Sequence, residues 1–236
     1  MPGSLSHKIF PISDTALTID FGNVINENIN STVLSLSRDF QNNPQDGFIE
    51  TIPAYSSLTV YYDVFQLSKS IPQDRTVYEW VSSVLEERLQ RLPETVELGS
   101  PLFEIPVCYD PEFAPDIGEI ANLKAISTDE VMHIHRSKEY RVYMIGFLPG
   151  FAYMGEVDEQ IAVPRKAQPR TKVEAGSVGI AGKQTGIYPL DSPGGWQIIG
   201  KTPVKLFDKE KDEPVLLQPG DEIEFYSITE DEFANY

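Results

Sequence analysis

Cysteine is nearly absent: Cys108 stands alone in 236 residues, so no intramolecular disulfide framework is available and a reducing, cytoplasmic setting is expected. Histidine is scarce as well, with three residues, which leaves few ligands for a metal. Basic residues number 19 against 36 acidic ones, a formal net charge of −17. That balance excludes a nucleic-acid binder, which needs a basic face, and disfavours docking on anionic lipid. No apolar run reaches the roughly 18 residues of a membrane span, and Met1-Pro2-Gly3-Ser4 lacks the basic and apolar regions of a secretory signal. Apolar residues make up 41% and aromatics 11%, enough for packed cores.

The first ~95 residues alternate strands and helices. Lys8 to Ile12 and Ala16 to Phe21 read as strands around the turn pair Ser13-Asp14. Asn26 or Asn28 is positioned to cap a helix whose apolar residues Ile29, Val33, Leu36 and Phe40 recur at helical spacing. Asn42-Asn43-Pro44 ends it, because the residue before proline disfavours helical backbone. Phe48 to Pro53 and Ser57 to Tyr62 form a second strand pair. A helix over about Thr76 to Leu92 follows, with Trp80, Val84, Leu85 and Leu89 inward. The order β-β-α-β-β-α predicts a two-layer sandwich over residues 1–96, with Pro93 to Pro101 as linker.

The texture then changes. Leu102 to Tyr109 is a strand, and Ser127-Thr128-Asp129-Glu130 has the form of a capping box before a short helix. From Tyr140 short apolar runs alternate with Gly and Pro, and residues 146–200 carry 10 of the 16 glycines. This predicts a β-barrel or sandwich in a second domain, 97–236.

Charge is distributed unevenly. Residues 165–205 hold Arg165, Lys166, Arg170, Lys172, Lys183, Lys201 and Lys205 against Glu174 and Asp191, seven cations to two acids, a local +5. An arginine-bearing island among Gly/Pro loops suits a carboxylate or phosphate; its plain reading is a solvated strand face or a patch that meets an acidic partner.

Several patterns weaken on inspection. Gly195-Trp-Gln-Ile-Ile-Gly200-Lys201-Thr202 matches the phosphate-loop pattern, but Ser192-Pro193-Gly194 precedes it and Pro203 follows, so the segment reads as a strand. His133 and His135 fall two apart on a helix and share no face, so no metal is expected. His135 remains an acid/base candidate because histidine titrates near neutrality. Cys108 reads as a buried thiol and Ser177 as a turn residue. No self-sufficient catalytic set is visible, which points to a subunit.

Gly146-Phe-Leu-Pro-Gly-Phe-Ala-Tyr153 resembles the G-F-x-P-G-F-x-Y signature of the allophanate hydrolase subunit 1 family, also called the KipI or PxpB family. Pro164-Arg165 and Pro169-Arg170 resemble its paired P-R elements. Ala175-Gly-Ser-Val-Gly-Ile-Ala-Gly182, Gln184-Thr-Gly-Ile-Tyr-Pro189 and Ser192-Pro-Gly-Gly-Trp-Gln-Ile-Ile-Gly-Lys-Thr-Pro203 resemble its central and closing blocks. Lys201 stands where that pattern more often has arginine. The resemblance implies an α+β protein, an N-terminal two-layer α/β sandwich followed by a C-terminal cyclophilin-like β-barrel. It further implies the B subunit of a 5-oxoprolinase that uses ATP and works with A and C subunits, C most directly, on a small carboxylate substrate. Related chains inhibit a sporulation histidine kinase or serve in allophanate hydrolysis, and these are the alternative roles. On this reading His135, Arg165 and Arg170 are the catalytic candidates. Gln184, Tyr188, Gly194, Gly195 and Thr202 are the substrate-binding ones.

Overall fold

The structure is a computed structural model that describes residues 5–93 and 101–236. The chain divides into two compact units, Met1–Leu98 and Gly99–Tyr236. The linker expected over Pro93 to Pro101 lies mostly outside the described residues.

The first unit contains β1 (Lys8–Ser13), β2 (Ala16–Asp20), α1 (Glu27–Asn42), β3 (Phe48–Pro53), β4 (Ser57–Tyr62), α2 (Val64–Ser70) and α3 (Val77–Arg91). Its four strands form one antiparallel sheet in the order β1-β2-β4-β3. Asn26 caps α1 by accepting from the Ile29 amide, and Thr76 with Glu79 closes a reciprocal capping box on α3. The core is the expected two-period and 3.6-period pairing. Leu58, Val60 and Tyr62 alternate inward from β4 and meet Val33, Leu36 and Phe40 of α1 and Val81 and Leu85 of α3. Of the residues expected inward on α3, Leu85 is buried, while Trp80 and Leu89 pack at the margin. Helix α2 is not evident in the sequence: seven residues are too few to show a period, and its start is set by Asp63, whose carboxylate accepts from the Gln66 amide. Leu67 of α2 is buried against Gly47, where φ is +88° and a Cβ would run into the leucine.

The second unit begins with β5 (Leu102–Cys108), α4 (Ile117–Lys124), α5 (Thr128–Arg136), β6 (Glu139–Ile145) and β7 (Ala152–Gly155). It continues with β8 (Arg170–Val173), β9 (Ser177–Ala181), β10 (Gln184–Ile187), β11 (Ser192–Gly194), β12 (Gln197–Lys201), β13 (Glu222–Ile228) and α6 (Glu230–Ala234). Seven strands close into a barrel in the order β10-β7-β6-β13-β5-β12-β9, while β8 and β11 form a separate ribbon. The β5–β13 pair is parallel and the other barrel pairs are antiparallel. Closure leaves no free sheet edge and buries Ile105, Val107, Val142, Met154, Ile180, Ile199 and Phe225 in one core. The α+β class with a C-terminal barrel is therefore the architecture observed.

Candidate functional site

Two glycines make the floor of the site. Gly179 of β9 and Gly186 of β10 are direct cross-strand partners. A Cβ on Gly186 would lie 2.9 Å from the Ala152 carbonyl oxygen and 3.0 Å from the Trp196 ring, and one on Gly179 would lie 3.1 Å from Trp196 Cβ. The missing side chains let the Trp196 and Phe151 rings approach the barrel backbone closely. Phe151 is the hub: it meets Trp196 at 5.4 Å and Tyr188 at 5.1 Å, both edge-on, and Tyr153 at 4.7 Å. Phe147 stands edge-on to Phe151 at 5.7 Å; it is 62% exposed and has a left-handed φ of +68°. The G-F-x-P-G-F-x-Y, Q-T-G-I-Y and G-G-W blocks thus converge on one aromatic cluster.

Arg165 crowns that cluster. Its guanidinium lies 5.8 Å from the Trp196 ring centre, and it has no carboxylate or hydrogen-bond partner among the described residues. Half-buried Tyr153 has a hydroxyl likewise without a partner there. Burial pushes the Tyr153 pKa up, and the nearby Arg165 charge offsets only part of that rise, so the phenol stays protonated at neutral pH. Tyr188 is raised by burial too, against the pull of the Trp196 backbone N–H and Arg165. Tyr188 is fully enclosed beneath the turn, where a Cβ on Gly194 would run into its hydroxyl.

The remaining cations of the basic island are occupied. Lys172 pairs with Asp191, Lys183 with Glu159, Lys201 with Glu174 and Lys205 with Asp208. Asp116, buried at the start of α4, takes Lys166 Nζ at 2.9 Å and Arg170 Nη2 at 2.5 Å on one oxygen, and the Ile198 amide at 2.6 Å on the other. Arg170 therefore serves as the counter-ion of a buried carboxylate, not as a free clamp. The local +5 is an accident of linear counting, since Asp116, Glu119, Glu159 and Asp208 are folded in from outside the segment.

His135 does not reach the site surface. It is fully buried on α5, stacked 4.7 Å from Phe225. Thr185 Oγ1 donates to the Gly179 carbonyl, so it accepts from His135 Nε2–H at 3.0 Å. Nδ1 is then bare and accepts from the Tyr109 hydroxyl at 2.9 Å. The ring is neutral, and burial depresses its pKa to about 3. It is a structural crosslink between α5 and the barrel, and an enclosed ring of such low basicity is a poor general base at neutral pH.

This has a measurable consequence. The unfolded chain, with histidine near 6.5, binds more protons than the folded chain between that value and about pH 3. Stability contributed by His135 is complete above pH 6.5 and is lost as pH falls, at up to about 1.4 kcal/mol per pH unit. His7, whose pKa is raised beside Glu86, acts in the opposite sense. Urea unfolding of the second unit between pH 7 and 5, in a His7→Gln background, should show the falling midpoint. A flat profile contradicts the buried neutral ring.

The other expected residues divide. Gly194 pairs with Arg170 across the β8–β11 ribbon, and the Gly195 carbonyl accepts from the Lys166 amide, so both shape the turn under Arg165. Thr202 is buried and accepts from the Val204 amide. Gln184 lies at the far end of β10 from Tyr188, paired with Gly155 and Ala181, outside the cluster. The phosphate-loop match is the barrel strand β12, its backbone committed to β9. Among the described residues no group of three His, Cys, Asp or Glu is arranged to hold a metal. Neither Asp116 nor Tyr153 is among the candidates that the sequence offers.

The family described as carboxyltransferase domain, subdomain C and D, matches residues 7–217. The 5-oxoprolinase B subunit of Bacillus subtilis (strain 168) is 45% identical over 99% of this chain and 98% of its own length. A conserved uncharacterized protein from Pyrococcus horikoshii is 46% identical, with a TM-score of 0.56 over 96% of this chain and 100% of that one. The urea carboxylase of Kluyveromyces lactis shares the fold at 20% identity and a TM-score of 0.77. All of this chain matches there, and it spans 23% of the yeast protein. The chain thus belongs to the carboxyltransferase subdomain C and D family and, within it, to the KipI/PxpB group that includes the B subunits of 5-oxoprolinases.

Proposed function

We propose that this chain is the B subunit of an ATP-dependent 5-oxoprolinase, which opens the lactam of 5-oxo-L-proline to L-glutamate together with A and C subunits, C as its direct partner. The observation that carries this reading is the unpartnered Arg165 guanidinium over the aromatic cluster. 5-Oxoproline is a carboxylate on a flat five-membered ring. Arg165 holds the carboxylate by its fork, and the protonated hydroxyl of half-buried Tyr153 donates to the lactam oxygen. A poorly electrophilic amide needs activation: transfer of the ATP γ-phosphoryl group to that oxygen, with ADP leaving, would let water add to the lactam carbon, and C–N cleavage with release of inorganic phosphate would give glutamate. The phosphate-loop match is a strand whose backbone is committed to β9, so that segment offers no nest of amides to a nucleotide; ATP is bound in the assembled complex. The similarity to the 5-oxoprolinase B subunit of B. subtilis supports the reading of this chain as a B subunit.

The purified chain alone should release no glutamate from 5-oxoproline, with or without ATP. Turnover should appear when the A and C subunits are added. Robust hydrolysis by the single chain would refute the subunit reading.

A further inference from the structure

A second cleft, of about 340 Å³, opens on the barrel unit beside the ribbon strand β8. Arg170 and Lys172, two apart on β8, line it together with Lys201 at the end of β12 and Ser177 at the start of β9. Ser177 and Lys201 are direct cross-strand partners, so their side chains leave the same face of the ladder. The Ser177 residue is only 6% exposed, yet its hydroxyl has no hydrogen-bond partner among the described residues. The hydroxyl oxygen itself is accessible to solvent and free to donate into the cleft that it lines.

The charges around it differ in how firmly they are held. Arg170 is fixed by the buried Asp116. Lys201 and Lys172 pair instead with Glu174 and Asp191, acids whose side chains are 61% and 53% exposed. Exposed pairs of this kind contribute little, so both ammonium groups can exchange their carboxylate for a ligand's. Phe113 and Ile198 add an apolar wall.

We propose that this cleft is a small-oxyanion site, separate from Arg165, in which Ser177 donates its hydroxyl proton and Lys201 and Lys172 supply charge to a carboxylate or phosphate group. Neither the A and C subunits nor turnover are needed to test it. Amide spectra of the full chain at low ionic strength should be titrated with inorganic phosphate and, separately, with acetate. Saturable shifts at Ser177, Lys201 and the β8 amides are expected with at least one of them, and which one names the group. Lys201→Gln should weaken binding roughly tenfold, the loss of one charge-assisted contact. Ser177→Ala should weaken it several-fold, and Lys172→Gln, a change at an exposed side chain, serves if Ser177→Ala fails to fold. Shifts centred on Arg165 and Trp196, no saturable shifts with either ion, or unchanged affinity in Lys201→Gln would overturn the proposal.

Discussion

Replacing Arg165 with alanine in the assembled enzyme should lower kcat/KM for 5-oxoproline by about 10- to 100-fold, the equivalent of one charge-assisted hydrogen-bonding contact of about 1.5–3 kcal/mol. The side chain is exposed, lies over the Trp196 ring and has no carboxylate or hydrogen-bond partner among the described residues. Losing that contact costs the fold no more than about 1 kcal/mol. Unfolding midpoints should hardly move, so the loss would be one of function. Arg165→Lys keeps the charge without the fork and should recover part of the activity. Size-exclusion chromatography of the same mixtures separates two origins. Lost turnover with intact assembly places Arg165 at the ligand; lost assembly places it at the partner interface. Turnover and assembly both at wild-type levels would remove Arg165 from the site.

Asp116→Ala should act in the opposite way, on stability. The carboxylate is buried with two cations and the Ile198 amide; removing it takes the carboxylate partner of Arg170 and the acceptor of the Ile198 amide, while Lys166 keeps Glu119. Breaking a buried ion pair from one side costs about 3–5 kcal/mol, much more than the pair contributes over an apolar replacement. Urea unfolding of the barrel unit is the direct measurement. Asp116→Asn, which keeps an acceptor for Ile198, should lose less. A loss below about 1 kcal/mol would show that Asp116 is not the anchor of α4 and the ribbon.

Strands β1 to β4 and helices α1 and α3 are legible because their periodicities are local and their ends carry caps such as Asn26 and Thr76. Helices α2 and α4, of seven and eight residues, are too short for a period to emerge. Arg165 and Arg170 are equivalent in the sequence, each preceded by proline. Only the long-range partner Asp116, 54 residues from Arg170, distinguishes them. Nothing in Pro115-Asp116-Ile117 announces that role. The place of His135 is recoverable in principle. With Ser127 as the cap of α5, Val131, Ile134 and His135 fall at i, i+3 and i+4, the buried face, which argues for a packed ring over an accessible base.

Lys201 illustrates the same limit. Its neighbours in sequence, Gly200 and Thr202, complete a phosphate-loop pattern, but the backbone there is paired with β9 and its ammonium meets Glu174. Its potential as a ligand group lies across the sheet with Ser177, a relation set by strand register.

The central claim, that 5-oxoproline hydrolysis requires this chain, is tested most directly by omission. A and C subunits with ATP and 5-oxoproline should release no glutamate until this chain is added, and the rate should then rise with its concentration to a stoichiometric plateau. Glutamate released at the same rate in its absence would contradict the account.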